Sequence, residues 1–258
     1  MADCHHRVFY TAALVNEKCQ FGKVRIDDAR CPVMCTIMER ALIIGDSGGI
    51  GSAVKAALSA RDVDVIGLSR SGDGLDVTSE ASVEAALGAL QGTFDLIFVA
   101  TGALEIDDFA PEKTIKALQP EALLAQFKLN TVGPAMVLKH ALRLVPKDRR
   151  AVVAVLSARV GSIGDNGLGG WYSYRTAKAA VNQIVHSTAI EVKRSHKEAV
   201  IVSLHPGTVQ TKFTEKYVGR HASVPADEAA QNLLSVIDGL TPDQSGGFYD
   251  WAGKEVPW

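Results

Sequence analysis

The feature that most constrains the fold is an alternation of strand-like segments, most of them apolar throughout, with segments of helical periodicity. The expected strands comprise residues 41–44, 63–68, 74–77, 94–100, 151–156, 199–204 and 247–251. Strands that are apolar along their whole length must be covered on both faces, and helical connections between them indicate parallel pairing. No linker and no internal repeat divides residues 38–258. The sequence therefore predicts an α/β protein with a single doubly wound domain and a mostly parallel sheet of about seven strands.

A glycine-rich loop follows the first expected strand directly and opens the first helix. Glycines there permit a tight turn, close approach of the backbone to a pyrophosphate, and close packing of the helix on the strand. The helix N-terminus offers N–H groups and a positive dipole end to the anion. A glycine cluster alone would indicate only a flexible turn, but this position predicts a dinucleotide-binding, Rossmann-type domain. The cofactor-binding candidates in this loop are Gly45, Ser47, Gly49, Ile50 and Gly51.

Further motifs follow the loop in order along the chain. They are Asp76-Val77, Asn130, Tyr174-Arg175-Thr176-Ala177-Lys178 and His205-Pro206-Gly207-Thr208-Val209-Gln210-Thr211. Together with the Gly-x-x-x-Gly-x-Gly spacing, they resemble the short-chain dehydrogenase/reductase family over about residues 38–258, and the C-terminal tail resembles its C-factor or sniffer-like subgroup. The resemblance implies that Asp76 and Val77 lie at the adenine. It also implies that the nicotinamide end is bound by Pro206, Gly207, Thr208, Val209 and Thr211.

Two positions depart from the family pattern. Ile44 stands where the family usually has a threonine before the first glycine. Ala100, Thr101 and Gly102 stand where relatives have an Asn-Asn-Ala-Gly motif, so the glycine is kept and both amides are lost. We retain these three residues as cofactor-binding candidates. The end of this strand is expected to be held differently from relatives, unless Thr101 simply terminates it.

The choice of cofactor depends on the end of the second strand. A carboxylate there would bind a ribose 2′-hydroxyl and repel a 2′-phosphate, but Ser69 occupies the position. The guanidinium of Arg70 is suited to a phosphate, which it binds through charge-assisted hydrogen bonds. We therefore predict NADP(H) in preference to NAD(H), with Ser47 and Arg70 near the 2′-phosphate and Ser69 as a further cofactor-binding candidate. A solvated surface arginine is the alternative interpretation.

The chemistry is assigned to a tyrosine and a lysine. Tyr174 and Lys178 are four residues apart, so on a helix they occupy one face about one turn apart. A neighbouring ammonium favours the phenolate and is expected to lower the pKa of Tyr174. The resemblance implies that Tyr174 is the acid–base group and that Lys178 also binds the nicotinamide ribose. Tyr172 has no basic residue four positions later and is therefore not chosen.

Asn130 lies within the longest expected helix, residues 120–145, which contains Gly133-Pro134. Proline removes a backbone donor and clashes with the preceding turn, so a kink or interruption is expected near this pair. The family resemblance implies that Asn130 binds a water molecule that connects Lys178 to solvent as a proton relay.

The catalytic serine is the least regular part of the pattern. When Gly161 is matched to the family glycine, Ala158 rather than Ser157 occupies the serine position. If the chain is extended there, the side chains at 157 and 158 point to opposite faces. A bulge would re-aim Ser157, or Ser162 would reach in from the loop. We choose Ser157 as the surviving catalytic serine and predict a slow enzyme, because losing one preorganised donor typically costs about 10²–10³ in rate.

Composition and the N-terminal region exclude several other classes. The net charge of −2 supplies no basic field for nucleic acid, and no apolar run approaches the roughly 18–20 residues of a membrane span. The start lacks the apolar core of a secretory signal, so a cytoplasmic protein is expected. All four cysteines lie within residues 1–37, which we expect to form a loosely ordered extension. An alternative interpretation is that the natural chain starts at Met38. With no His/Cys/Asp cluster in the domain, we predict no metal.

The expected partner is a small carbonyl or alcohol. Trp171, Phe213 and Tyr217 suggest an apolar substrate, and the resemblance implies a homodimer or homotetramer. The first hypothesis is an NADP(H)-dependent oxidoreductase of the carbonyl reductase type. The alternative is a nucleotide-binding signalling or regulatory protein of the C-factor type with weak or no turnover. Measured turnover would distinguish the two.

Overall fold

A computed structural model describes residues 38–211, 214 and 222–258. The predictions for residues 1–37, including the four cysteines and the alternative start, lie outside these described residues. The same holds for Phe213 and Tyr217 in the expected substrate loop. These interpretations therefore stay predictions.

The described residues form one parallel sheet of six strands, in the order β2-β1-β3-β4-β5-β6. The strands are β1 (Arg40–Ile44), β2 (Asp64–Leu68), β3 (Leu96–Val99), β4 (Ala151–Leu156), β5 (Ala199–His205) and β6 (Phe248–Asp250). All five pairings are parallel, and β1 and β3 to β5 are almost wholly buried. The chain builds β2 on one side of β1 and β3 on the other, which creates a crevice between β1 and β3. The predicted doubly wound α/β class is confirmed.

Helices cover both faces of the sheet. They are α1 (Gly49–Ser59), α2 (Arg70–Asp73), α3 (Glu80–Gly88), α4 (Pro120–Phe127), α5 (Gly133–Ala141), α6 (Tyr172–Val192) and α7 (Ala226–Gly239). One apolar core lies between the sheet and α3, α5 and α6, and the other lies between the sheet and α1 and α7. Alternate residues of each strand enter the two cores, as a strand buried on both faces requires.

The expected short strand ending at residues 74–77 does not form. The chain makes the four-residue helix α2 instead, which ends at Gly74 with a left-handed φ of 72°. A local turn follows, in which the Asp76 carboxylate accepts hydrogen bonds from the backbone and hydroxyl of Thr78 at 2.9 and 2.7 Å. Side chains that satisfy nearby backbone groups compete with sheet pairing. This competition explains why the sheet has six strands and not the seven that were expected.

The long central helix is interrupted, as the sequence predicts near Gly133-Pro134. A π-helical segment, Lys128–Val132, separates α4 from α5. Such segments are rare and frequently occur at functional sites. Its buried residues are Asn130 and Thr131, and the Thr131 hydroxyl donates to the carbonyl of Ala177 on α6 at 2.8 Å. The interruption therefore places Asn130 against the helix that carries the tyrosine and the lysine.

Candidate active site

The predicted site residues converge at the carboxyl edge of the sheet. Gly45 follows β1, Ala100 follows β3, Ser157 follows β4 and Pro206 follows β5. Because all strands are parallel, these four positions lie along one edge. This edge is where open α/β sheets bind their ligands.

The glycine-rich loop is shaped by close backbone contacts. Gly45 has a φ of +92°, and its N–H donates to the carbonyl of Leu68 at 2.7 Å. A Cβ added at Gly51 would lie 2.2 Å from the carbonyl oxygen of Gly45, so no side chain fits there. Helix α1 begins after Gly48, which has no side chain to cap the first N–H groups. These groups and the helix dipole are therefore available to an anion, as the sequence predicts.

Two loops distant in sequence meet at this edge. A Cβ added at Gly49 would lie 2.5 Å from Cγ2 of Thr211, so the loop after β5 contacts the start of α1. Gly207 has a φ of +78°, and its Cα lies against the ring of Trp251. The structure thus brings the two predicted cofactor loops together across the crevice. Thr208 and Val209 hold the second loop in place through pairing with Val224.

The end of β3 is held by side chains from α4 and the π-helical segment. The amide of Asn130 bonds both backbone groups of Ala103, at 3.1 Å to the N–H and 2.8 Å to the carbonyl. The Asn130 Nδ2 group also donates to Gln126, whose own Nε2 donates to the carbonyl of Leu104. A Cβ at Gly102 would lie 2.6 Å from Oδ1 of Asn130. These two amides therefore hold the loop that follows β3.

The Asn130 side chain is completely buried, and its amide is occupied by Ala103 and Gln126. The side-chain amide thus holds the loop beside Lys178. The relay role implied by the resemblance stays a prediction. The hydroxyl of Thr101, in contrast, is buried without a hydrogen-bond partner among the described residues. A buried polar atom of this kind is commonly satisfied by a ligand or by water.

Tyr174 and Lys178 lie on one face of the first turns of α6, as predicted. Tyr174 is 6% exposed and Lys178 is 3% exposed, and the lysine Nζ lies 5.8 Å from the centroid of the tyrosine ring. The Lys178 ammonium donates to the carbonyl of Leu156 at 3.1 Å. Burial lowers the pKa of Lys178 to about 8. A cation that sheds its proton this readily is suited to proton exchange near neutral pH.

The expected lowering of the pKa of Tyr174 is not observed in the free protein. Burial raises the pKa of Tyr174, because the phenolate loses its hydration. A buried, protonated phenol is suited to donating a proton to an oxygen atom that gains charge. It is a poor base until a further positive charge arrives.

The chain is extended in the serine region. Ala158 has φ −148° and ψ 145°, and the Ser157 N–H donates to the carbonyl of Leu204 as a continuation of β4. Ser157 therefore continues the row of Val153 and Val155, which faces α6, while Ala158 continues the opposite row. The Ser157 hydroxyl is buried without a hydrogen-bond partner among the described residues. No bulge re-aims it.

Ser162, the other serine considered, is engaged locally. Its hydroxyl is buried and accepts the N–H of Asp165 at 3.0 Å. The neighbouring Arg159 pairs with Asp165 and with Asp250, so it spans the loop after β4 and the end of β6. These contacts stabilise the loop rather than presenting a hydroxyl to a substrate.

The adenosine end is more open. The Ser69 hydroxyl accepts the N–H of Gly72 at 3.2 Å and caps α2, while Arg70 is exposed. The pKa of Asp76 is lowered, mainly by its hydrogen bonds to Thr78, with a smaller contribution from Arg70. Val77 is buried against Gly133, where a Cβ would lie 2.9 Å from its Cγ2.

Three side chains of the site have no place in the sequence motifs. Gln126 lies one turn before Asn130, and a polar residue on the buried face of a helix could have indicated it. Asp46 pairs with Lys55 at 2.7 Å and lies over Gly67 of β2. Glu112, which contacts the start of α6, carries no sequence signal. Among the described residues, no group of three or more potential metal ligands is found and no helix is long and apolar enough to cross a membrane.

The arrangement as a whole fits a nicotinamide dinucleotide. At Gly45, Gly49 and Gly51 an added Cβ would press against neighbouring protein atoms, so these glycines allow the close packing that shapes the loop. The unpartnered Thr101 hydroxyl belongs to a residue that packs beside Gly45. The buried Tyr174 and Lys178 lie at the other end of the same edge. Fold and site together therefore define a dinucleotide-binding oxidoreductase of the α/β class.

Comparison with known proteins identifies the family. The model of the short chain dehydrogenase family matches residues 39–221, so the chain belongs to this family and is an oxidoreductase of its type. The resemblance inferred from the motifs is thereby confirmed. The family assignment covers both the glycine-rich loop and the Tyr-x-x-x-Lys motif.

Individual relatives agree with this assignment. The 1-hydroxy-2-glutathionyl-2-methyl-3-butene dehydrogenase of Rhodococcus sp. is 31% identical over 236 residues, 86% of this chain and 100% of the relative. The C-signal protein of Myxococcus xanthus is 39% identical over 132 residues, 51% of this chain and 76% of the relative. A candidate short-chain dehydrogenase/reductase from Burkholderia multivorans, solved with bound NADP, has a TM-score of 0.72 and 26% identity, covering 86% of this chain and 100% of its own.

Proposed function

We propose that this protein is an NADP(H)-dependent oxidoreductase that interconverts a small carbonyl compound and its alcohol, with Tyr174 as the acid–base group. The observation that carries the proposal is the buried Tyr174–Lys178 pair at the carboxyl edge of the sheet, beside a glycine cradle. When bound, the nicotinamide would donate or accept the hydride. The cradle would hold the pyrophosphate, and Thr208 and Thr211 would orient the nicotinamide.

The side chains divide the remaining work. In the reductive direction the Tyr174 hydroxyl donates its proton to the carbonyl oxygen, and in the oxidative direction the phenolate accepts the alcohol proton. Lys178, whose pKa is lowered to about 8 by burial, returns the proton or removes it near neutral pH. Asn130 and Gln126 hold the loop that passes Lys178. Burial raises the pKa of Tyr174, so the phenol carries the proton that the reductive direction requires.

NADP(H) is the proposed cofactor. No carboxylate stands at position 69, and the exposed Arg70 follows Ser69, which caps α2. A 2′-phosphate would meet this cation, whereas a ribose hydroxyl would find no acidic acceptor at position 69. The Burkholderia relative was solved with bound NADP, which agrees with this choice.

The proposed enzyme is slow on ordinary carbonyl substrates. The proposal rests on the match of Gly161, which places Ala158, without a hydroxyl, at the family serine position. Ser157 lies on the side of the strand that faces α6, the helix that carries Tyr174 and Lys178, so its hydroxyl would polarise the carbonyl in place of the lost one. The similarity to C-signal supports a second candidate, in which the protein binds the cofactor and acts in signalling with little or no turnover.

We also propose a homodimer or homotetramer in the cytoplasm. Leu124 on α4, Val132 in the π-helical segment and Ile190 on α6 are 69%, 43% and 55% exposed, which is unusual for large apolar side chains. An interface formed by these helices would cover them. Light scattering of the purified protein measures the oligomeric state, and Leu124→Lys would dissociate an oligomer built on this face.

The decisive experiment is a screen of carbonyls with NADPH and of alcohols with NADP⁺, followed by Tyr174→Phe on any substrate found. Tyr174→Phe is expected to reduce turnover by about 10³-fold or more while leaving the Kd for NADPH unchanged. Tyr172→Phe is the matched control and should retain turnover. Tight NADPH binding without turnover on any compound would favour the signalling alternative.

A further inference from the structure

Glu112 is a buried carboxylate in the connection between β3 and α4, far in sequence from the proposed catalytic pair. It is 7% exposed, and both of its oxygens accept hydrogen bonds from Ser173. Oε2 accepts the Ser173 N–H at 3.2 Å, and Oε1 accepts the Ser173 hydroxyl. A buried carboxylate is costly unless it is well bonded, so this contact is a specific one.

The contact supplies a cap that α6 lacks. The residue before the helix is Trp171, which has a left-handed φ of 54° and makes no side-chain cap. The first N–H groups of a helix have no partner within the helix, and a negative charge near them is favourable. Glu112 meets both needs from 61 residues away in sequence. Its backbone carbonyl also accepts the N–H of Trp171 at 2.5 Å.

The capped turn is the one that carries the catalytic tyrosine. Tyr174 follows Ser173 directly, and its ring makes an edge contact with Trp171 at a centroid distance of 6.3 Å. On the other side of the turn, Arg175 donates to the carbonyls of Gly170 and Val160 at 3.0 and 3.2 Å. The first turn of α6 is therefore held from two sides, and Glu112 forms the side facing the β3–α4 connection.

We propose that Glu112 is a positioning residue for Tyr174: through Ser173 and Trp171 it fixes the first turn of α6 and hence the place from which the phenol transfers its proton. This inference rests on the proposed function, because it gives Tyr174 the acid–base role. Misplacing a reacting group by about 1 Å typically costs up to about 100-fold in rate.

The test compares Glu112→Ala with Glu112→Gln. Glu112→Ala should lower kcat by about 10- to 100-fold while the Kd for NADPH is unchanged. In Glu112→Gln the amide oxygen still accepts the Ser173 N–H and the amide nitrogen donates to the hydroxyl, so most of kcat should return. Ser173→Ala in the Glu112→Ala background should cause little further loss, since both changes remove the same contact. Glu198→Ala is the control, because it removes an exposed carboxylate at the opposite edge of the sheet.

A second measurement does not depend on turnover. Hydrogen exchange of the Ser173 amide should accelerate in Glu112→Ala, while amides near Val192 at the far end of α6 exchange as before. An active wild-type enzyme with an unchanged kcat in Glu112→Ala would overturn the inference and leave the proposed function standing. A parallel loss of kcat and NADPH binding in both Glu112 variants would reduce the contact to a purely structural one. An inactive wild type would refute the proposed function, and unchanged exchange would then refute the positioning contact as well.

Discussion

The two ends of the proposed cleft are built in different ways. At the glycine-rich end, the loop is largely exposed and its shape comes from the backbone, with Ser47, Gly48 and Gly49 open to solvent. At the chemical end, the groups are side chains, and Asn130, Lys178 and Tyr174 are 0%, 3% and 6% exposed. A backbone cradle depends on the absence of Cβ atoms. A buried side-chain site depends on hydrogen bonds that arrive from elsewhere in the chain.

The largest effects are expected where the chemical end departs from its family. Ser157→Ala removes the unpartnered hydroxyl on the side of β4 that faces α6 and should lower turnover on an activated carbonyl by up to about 10²–10³-fold. Ala158→Ser restores a hydroxyl at the family position and should raise turnover to a smaller extent, because residue 158 continues the opposite row. Steady-state kinetics with NADPH measures both.

Ser203→Ala is the matched control, because Ser203 is also a buried hydroxyl without a partner among the described residues and lies in the next strand. It should leave turnover unchanged. If Ala158→Ser has no effect and Ser157→Ala is severe, Ser157 is the ordinary catalytic serine. If neither change matters, neither position supplies the hydrogen bond.

A single added methyl group should disrupt cofactor binding at the glycine-rich end. Gly51→Ala places a Cβ 2.2 Å from the carbonyl oxygen of Gly45, and overpacking of this kind costs about 1–3 kcal/mol. The affinity for NADPH should fall by roughly 10- to 100-fold, as measured by calorimetric titration. Gly88→Ala, where an added Cβ meets nothing within 4 Å, should bind NADPH as the wild type does. Equal affinities would show that the loop is not the cradle.

The burial of the chemical end should be visible in the pH dependence of stability. Lys178 has a folded pKa of about 8, lowered from 10.5, so the unfolded chain binds more protons than the folded one between these values. Stability therefore rises with pH in this window, and the contribution of Lys178 between pH 8 and 10 is about 2 kcal/mol. The contribution of Lys178 is the difference between the free energies of unfolding of the wild type and Lys178→Met, measured with denaturant at each pH. A difference between the two proteins that does not change with pH would mean that Lys178 is hydrated.

The smallest effect is expected at the open adenosine end. Arg70 is exposed, so Arg70→Ala should reduce the preference for NADPH over NADH by about 5- to 10-fold, as expected for one solvated cation near a phosphate. The ratio of the two Kd values is the measurement. Arg194→Ala, an exposed arginine beyond the end of α6, should not change it. An unchanged ratio in Arg70→Ala would make this residue an ordinary surface arginine.

The local patterns predicted much of the architecture and the site. The strands, the glycine loop, the interruption near Gly133-Pro134 and the Tyr174–Lys178 face are all present in the structure. The expected strand ending at residues 74–77 was wrong, because local hydrogen bonds of Ser69 and Asp76 formed a short helix and a turn. A four-residue segment with two apolar residues does not reveal such competition.

What the sequence determined by itself follows from short-range rules. Apolar strands and helical spacing specify the layers, and glycine spacing specifies the cradle, because each depends only on neighbouring residues. Tertiary structure alone decided how the chemical end is held. Asn130 and Gln126 reach Ala103 and Leu104, and Glu112 caps a helix 61 residues later. The sequence spacing of these common polar residues does not indicate such distant partners. Their hydrogen bonds become obligatory only because the folded chain buries them.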